Sequence, residues 1–248
     1  MAFEKTQPGN PHRLTIRQHI IPKALIGQFS NERGQVQLKS KRLGKLLNLD
    51  PDADMFVAKR LWDQKAEIVG KQIEDAFISL ALTISSDTNY SIQGQDKLVV
   101  EEFYALWRSR HQFLVTPLSD SVVNGVTGDN LDINAREVIE KKHAMYIQAD
   151  GSVPARFSMG IQITINIDQF VHKVRDYRWG VLRSDGGHFM FPDTFSEWLM
   201  IPISPTILIA AQCANAIVSR EQVGLINNYA IDSSHDYVFS RELSKCPT

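Results

Sequence analysis

The residues with the means to move protons or hold anions are a histidine, an arginine and a few acids spread along the chain. His19 lies in Arg17-Gln18-His19-Ile20-Ile21-Pro22, at the end of an alternating extended run and three residues before a proline that opens a short helix. An imidazole there serves as acid, base or metal ligand near neutral pH. Arg110 carries the second signal. With a helical turn of about 100° per residue, Val99, Phe103, Leu106, Trp107 and Leu114 form one apolar stripe, with Arg110 in its middle and His111 at its edge. A guanidinium facing a core keeps its charge, so it has to meet a carboxylate or a phosphate. A buried ion pair that only holds helices together would meet the same need. Two acids are available as partners: Glu74, near the apolar boundary of a helix and beside Phe77, and Asp193, in a turn between apolar strands. Glu67 shares a face with Arg60, Gln64, Lys71 and Glu74 opposite the apolar stripe, the pattern of a solvated helix face.

The elements that have to position these groups follow from hydrophobic period and punctuation. Leu14, Ile16 and Ile20 alternate as a strand, Pro22 opens a helix that Gly27 and Asn31 to Gly34 end, and Val36 with Leu38 predicts a second strand. After Asp50-Pro51-Asp52, the residues Met55, Ala58, Trp62, Ala66, Val69, Ile73, Phe77, Leu80 and Ile84 recur at helical spacing and predict one long amphipathic helix. Further helices are expected over 97–113 and 134–148. Residues 155–175 carry two periods: Ile161, Ile163, Ile165 and Ile167 alternate as in a strand, whereas Met159, Val171 and Val174 suit a helix. Four short strands are expected at 177–182, 188–191, 198–201 and 206–209, and Ser219-Arg220-Glu221-Gln222 has capping-box spacing for a last helix. The fold class is therefore α+β, a helical middle packed on a small, mostly antiparallel sheet contributed by both ends. Residues 1–12, with Pro8-Gly9-Asn10-Pro11, read as a flexible arm and 13–248 as a single domain.

The chain has 248 residues, 43% of them hydrophobic, enough for one large core. Its first residues show no apolar run behind a basic tip, and Ile207 to Ala211 is too short to cross a bilayer. Cys213 and Cys246 make no disulfide framework or thiolate metal site by themselves. A soluble, cytoplasmic protein without a membrane segment is the expectation. The net charge of -1 conceals an asymmetry: His12 to Lys45 is +7 and the remainder -8. Such a basic segment is a footprint for RNA or DNA, or else a lysine-fringed hairpin that pairs with the acidic remainder.

Several motifs together resemble the bacterial and phage family catalogued as domain of unknown function 4238. Gln18-His19-Ile20-Ile21-Pro22 with Leu25, Phe29, Gly34 and Val36 resembles its opening. Ala58 to Asp63 with Glu67 and Ile73-Glu74 resembles its first helix, and Leu106 to His111 its second. Trp179 to Leu182, Phe191-Pro192-Asp193, Ile201 to Pro205 and Leu225-Ile226-Asn227 resemble its later motifs. Pro192 stands where the family carries serine, and Thr194-Phe195 where it carries proline. The resemblance tips 155–175 towards a helix and implies that His19, Glu67, Glu74, Arg110 and Asp193 belong to one site. It carries no reaction.

Chemically, that set suits phosphodiester hydrolysis, in which positioning and charge stabilisation dominate. His19, Glu74, Arg110 and Asp193 are the expected catalytic residues, and Arg17, Lys23, Arg60 and His111 the expected substrate contacts. Glu67, Glu74 and Asp193 are the expected ligands of a divalent ion, Mg²⁺ or Mn²⁺. The alternative is a non-catalytic accessory factor of a phage or mobile element, binding nucleic acid or a protein partner. Other motifs carry less. His-Ile-Ile-Pro lacks the later Asn and His of an HNH nuclease, and Arg13 to His19 has HEPN ribonuclease spacing but lies on a predicted strand. Ser184-Asp185-Gly186-Gly187-His188 could hold a phosphate through its glycines, although a hairpin turn is the plainer reading.

Overall fold

Local capping and turn chemistry sets most element boundaries in the computed structural model, which describes residues 4–195 and 197–248. Strand β1 (Arg17–His19) leads to Pro22, the residue before α1 (Lys23–Gly27). β2 (Val36–Ser40) and β3 (Lys45–Leu49) form a hairpin whose Gly44 has a φ of 62°, a backbone shape that disfavours other residues. One 3-10 turn precedes β4 (Val57–Lys59), which pairs antiparallel with β1 so that His19 lies opposite Val57.

The long helix starts later than its apolar spacing predicts. α2 spans Gln64–Ser86, leaving Met55, Ala58, Arg60 and Trp62 ahead of it. Arg60 has a φ of 46°, incompatible with a right-handed helix, and the Asp63 carboxylate caps the new start by accepting from the Ala66 N–H at 2.8 Å. α3 (Gln95–Val115) follows, then β5 (Ser121–Val122) and α4 (Ile133–Lys141), which ends before the expected residue 148 near His143, whose φ is 62°. After β6 (Ser152–Val153) the ambiguous stretch is helical, as α5 (Ala155–Lys173).

The remaining chain alternates faster: β7 (Trp179–Ser184), β8 (Phe191–Pro192), β9 (Met200–Ser204), β10 (Ile207–Ala211), β11 (Ala216–Val218), α6 (Arg220–Ser233) and β12 (Tyr237–Ser240). The expected capping box is present, with Ser219 and Gln222 each bonded to the other's backbone.

The fold is α+β. One four-stranded sheet, β3-β2-β12-β8, joins strands from both ends of the chain. A second, β11-β7-β10-β9, comes from the C-terminal part alone, and its β11–β7 pair is parallel. Residues 4–12 of the expected arm reach across to α4: the Gln7 amide donates to Glu137 at 2.7 Å, and His12 bonds Asn134 at 2.8 Å. Residues 1–3 lie outside the described residues. No helix among the described residues is long and apolar enough to cross a membrane, and both cysteines are free.

The layers meet through aromatic packing. α3 lies against α2 and α5, with Phe103 stacked on Phe77 and Tyr104 on Phe170. Trp107 extends from α3 to the sheet, its ring 5.1 Å from that of Phe191 and its Nε1–H donated to the Asp193 carbonyl. Asp193 then fastens the sheet. Its buried carboxylate accepts from the backbone N–H groups of His235 (2.8 Å), Asp236 (2.6 Å) and Tyr237 (3.3 Å), where β12 begins. Hydrogen bonds to an ionised group contribute about 1.5–3 kcal/mol each, and these act as a unit. Asp193→Ala should therefore lower the unfolding free energy by about 3 kcal/mol, measured by urea denaturation. A change under about 0.5 kcal/mol, the level of an ordinary surface substitution, would refute the clamp.

Candidate functional site

Arg110 is 2% exposed, and four residues from three parts of the chain close around its guanidinium. From α2, Glu74 accepts from Nη1, and the Glu67 carboxylate lies 3.8 Å from Nη2. From β1, the His19 backbone carbonyl accepts from Nη1 at 3.1 Å. From the loop before α2, the Trp62 ring centroid lies 4.9 Å from the guanidinium carbon, and the indole N–H donates to Glu67 at 2.6 Å. A cation over an indole face with two carboxylates at its edge is favourably placed on both counts. Arg110 Nε and Nη2 have no hydrogen-bond partner among the described residues, so the pocket restrains them by packing.

Two further residues make this arrangement possible. Gly70 stands on α2 between Glu67 and Glu74, and a Cβ there would come within 2.2 Å of Arg110 Nη2. The missing side chain is the space the guanidinium occupies. Gln18, fully buried, accepts from the Leu61 and Trp62 amides at 2.6 and 3.2 Å and donates to the Trp62 carbonyl at 2.8 Å. It thereby holds the Trp62 loop beside β1. Sequence reasoning overlooked both residues. A glycine in the middle of a long helix was the available signal for the first, and the Gln beside the histidine for the second.

The His19 imidazole lies beside Asp52. Nε2 is 3.3 Å from the Asp52 carboxylate without hydrogen-bond geometry, and the side chain is 20% exposed. Burial lowers its pKa; Asp52 opposes that shift, and the Arg17 and Lys23 charges reinforce it. The surroundings thus favour the neutral ring. The Glu74 pKa is raised, chiefly by burial, with the Arg110 charge pulling down and Glu67 pushing up. Its side chain is 17% exposed, so solvent still reaches it.

Several expected members lie elsewhere. Asp193 spends its carboxylate on the backbone amides at the start of β12, and the His111 Nε2 lies 3.6 Å from it. His111 in turn packs its ring on that of His235. Both are therefore corrected from site residues to parts of the sheet clamp. Arg60 was expected to touch substrate but is 4% exposed; it pairs with Glu140 at 2.6 Å, and Arg156 reaches the same oxygen at 2.9 Å. Arg17 and Lys23 remain at the surface beside His19, paired with Asp54 and Asp52. The expected Glu67–Glu74–Asp193 metal set does not fit: the two glutamates serve Arg110 and the aspartate serves backbone amides. No group of three His, Cys, Asp or Glu side chains among the described residues is arranged to hold a metal ion.

No protein-family profile, curated protein or solved structure matches the chain. The likeness to family 4238 thus rests on the order of its motifs alone.

An alanine in a helix interior ordinarily stabilises by about 1 kcal/mol relative to glycine. At position 70 the opposite is expected, because the new methyl group displaces a buried cation. Gly70→Ala should reduce stability by about 2–4 kcal/mol in denaturant titration. A stabilised Gly70→Ala protein would show that Arg110 is not held as described.

Proposed function

We propose that this chain acts on nucleic acid as a phosphodiester hydrolase, with the cluster around Arg110 as its reactive site. The observation that best supports this reading is that Arg110 bonds both the His19 backbone carbonyl and the Glu74 carboxylate, joining β1 to α2 although the two residues are 55 positions apart in the chain. Their protonation tendencies are complementary. His19, whose pKa burial lowers, takes a proton from an attacking water as the new P–O bond forms. Glu74, whose pKa burial raises against the opposing charge of Arg110, returns a proton to the leaving oxygen as the old P–O bond breaks and is left as the carboxylate paired with Arg110. Each product charge has an opposite charge nearby: imidazolium beside Asp52, and carboxylate on Arg110. Arg17 and Lys23 supply positive charge next to the histidine. The resemblance to family 4238 supports grouping these residues and assigns no reaction.

A second reading is favoured by one surface. Lys39, Lys41, Arg42 and Lys45 are all exposed on the β2–β3 hairpin, as a phosphate-contacting ribbon would present them. That reading is a non-catalytic accessory protein that binds RNA or DNA, and it predicts salt-sensitive binding without turnover.

The test is incubation of purified protein with labelled single-stranded RNA, single-stranded DNA and duplex DNA. Cleavage is expected, and His19→Ala should slow it by about 100-fold or more. Because His19 reaches Arg110 through its backbone carbonyl, that variant should keep the wild-type melting temperature. Undiminished cleavage by His19→Ala would eliminate the assignment; binding of all three substrates without product would favour the hairpin reading. The rate should also hold down to pH 6.5, the ordinary histidine value, and fall below it as the lowered His19 pKa is crossed and the base becomes protonated. A rate that already halves between pH 7.5 and 6.5 would contradict a depressed histidine.

A further inference from the structure

A second cleft, of about 850 Å³, opens between the turn after α1, the β2–β3 hairpin, the glycine turn before His188 and the last residues of the chain. Every side chain lining it is polar. Arg33, Arg241 and Lys245 supply positive charge, with His188 among them; Glu32 and Glu242 are the acids. Gln37 and Asn48 add amides.

Its walls are tied to one another. The Gln37 amide oxygen accepts from the Leu243 N–H at 2.9 Å, His188 N–H donates to the Lys245 carbonyl at 2.9 Å, and Arg241 Nη2 donates to the Gln28 carbonyl at 3.0 Å. The cleft is therefore preformed, as small-molecule sites usually are. Within it, Ser30 Oγ, His188 Nδ1 and Arg241 Nε are buried and have no hydrogen-bond partner among the described residues. Buried polar atoms are nearly always paired, so three unpaired ones in these walls are hydrogen-bonding capacity that the described residues do not use.

We propose that this cleft binds a small phosphorylated sugar. Its cations suit the phosphate, and its amides and the two acids suit sugar hydroxyls. With no aliphatic wall, it offers nothing to a lipid chain. The size falls in the range typical of small-molecule pockets. Of Ser184-Asp185-Gly186-Gly187-His188, His188 alone lines the cleft; the glycine turn ahead of it does form, with Ser184 Oγ accepting from the Gly186 N–H and Gly187 beside Pro247. The phosphate would lie near His188, whose pKa is lowered by burial first, then by the Lys245 and Arg241 charges, with Glu242 opposing the shift. Nothing in this inference depends on the hydrolase reading.

The probe is ribose 5-phosphate, titrated by calorimetry into the full chain. Binding is expected, with an upward shift of the His188 pKa followed by NMR as the phosphate joins its neighbours. The double variant R33Q/K245Q changes two exposed side chains and should fold normally while losing about tenfold or more in affinity. Arg241→Gln should lose at least as much. Absence of binding at millimolar concentration, or equal affinity in wild type and R33Q/K245Q, would overturn the proposal. A single-stranded RNA octamer separates two sources of the same chemistry. If it displaces ribose 5-phosphate and fails on R33Q/K245Q, the sugar phosphate belongs to a nucleic-acid chain. If it does not compete, the ligand is a free sugar phosphate.

Discussion

Arg110 carries a charge that it cannot shed, on the apolar side of the helix at the centre of the molecule. The cost of burying it is met only by bringing groups from separate parts of the chain: two carboxylates on α2, an indole ahead of α2 and a carbonyl on β1. Each contact has its own local support. Gly70 clears the space, Gln18 holds the indole's loop, and the β1–β4 pair fixes the register of His19. The position of the histidine relative to the helices is thus a consequence of where the guanidinium finds its partners.

The same device recurs twice. Glu140, 1% exposed, is shared by Arg60 and Arg156, and the Glu4 carboxylate also reaches Arg156, drawing the start of the described chain onto α4 and α5. Asp193 gathers three backbone amides and ties the α3–sheet junction to β12. Buried charges of this kind add little net stability compared with apolar packing, but removing one partner is costly. They decide which surfaces meet, a task the aromatic core of Phe29, Phe56, Phe191 and Phe239 leaves loosely determined.

Much of this was legible in the residues before any coordinates. An arginine on an apolar stripe announced a buried ion pair, and Glu74 beside Phe77 was its reasonable partner. What periodicity could not separate was continuity from coincidence. Met55, Ala58 and Trp62 keep helical spacing with Ala66 although a left-handed Arg60 and the Asp63 cap divide them from α2. Arg60 consequently left the face it was expected to share with Glu67 and Glu74. Asp193 was misassigned for another reason: a carboxylate satisfied by backbone amides has no side-chain partner to signal it. Glu67 looked solvated because its partners, Trp62 and Arg110, come from outside its helix. The short strands β3, β11 and β12 escaped because three to five residues hold too few periods to register.

The His19 carbonyl on β1 and the Glu74 carboxylate on α2 meet at one fixed cation, and that junction depends on Arg110 being bound as a unit with its acids. The most direct measurement is a double-mutant cycle over Arg110→Gln and Glu74→Gln, read by denaturant unfolding. A coupling of about 2 kcal/mol or more is predicted for a buried pair in a shared network. Single-variant losses that add to within about 0.5 kcal/mol would show two independent side chains, and the cluster would not be the organising feature of this fold.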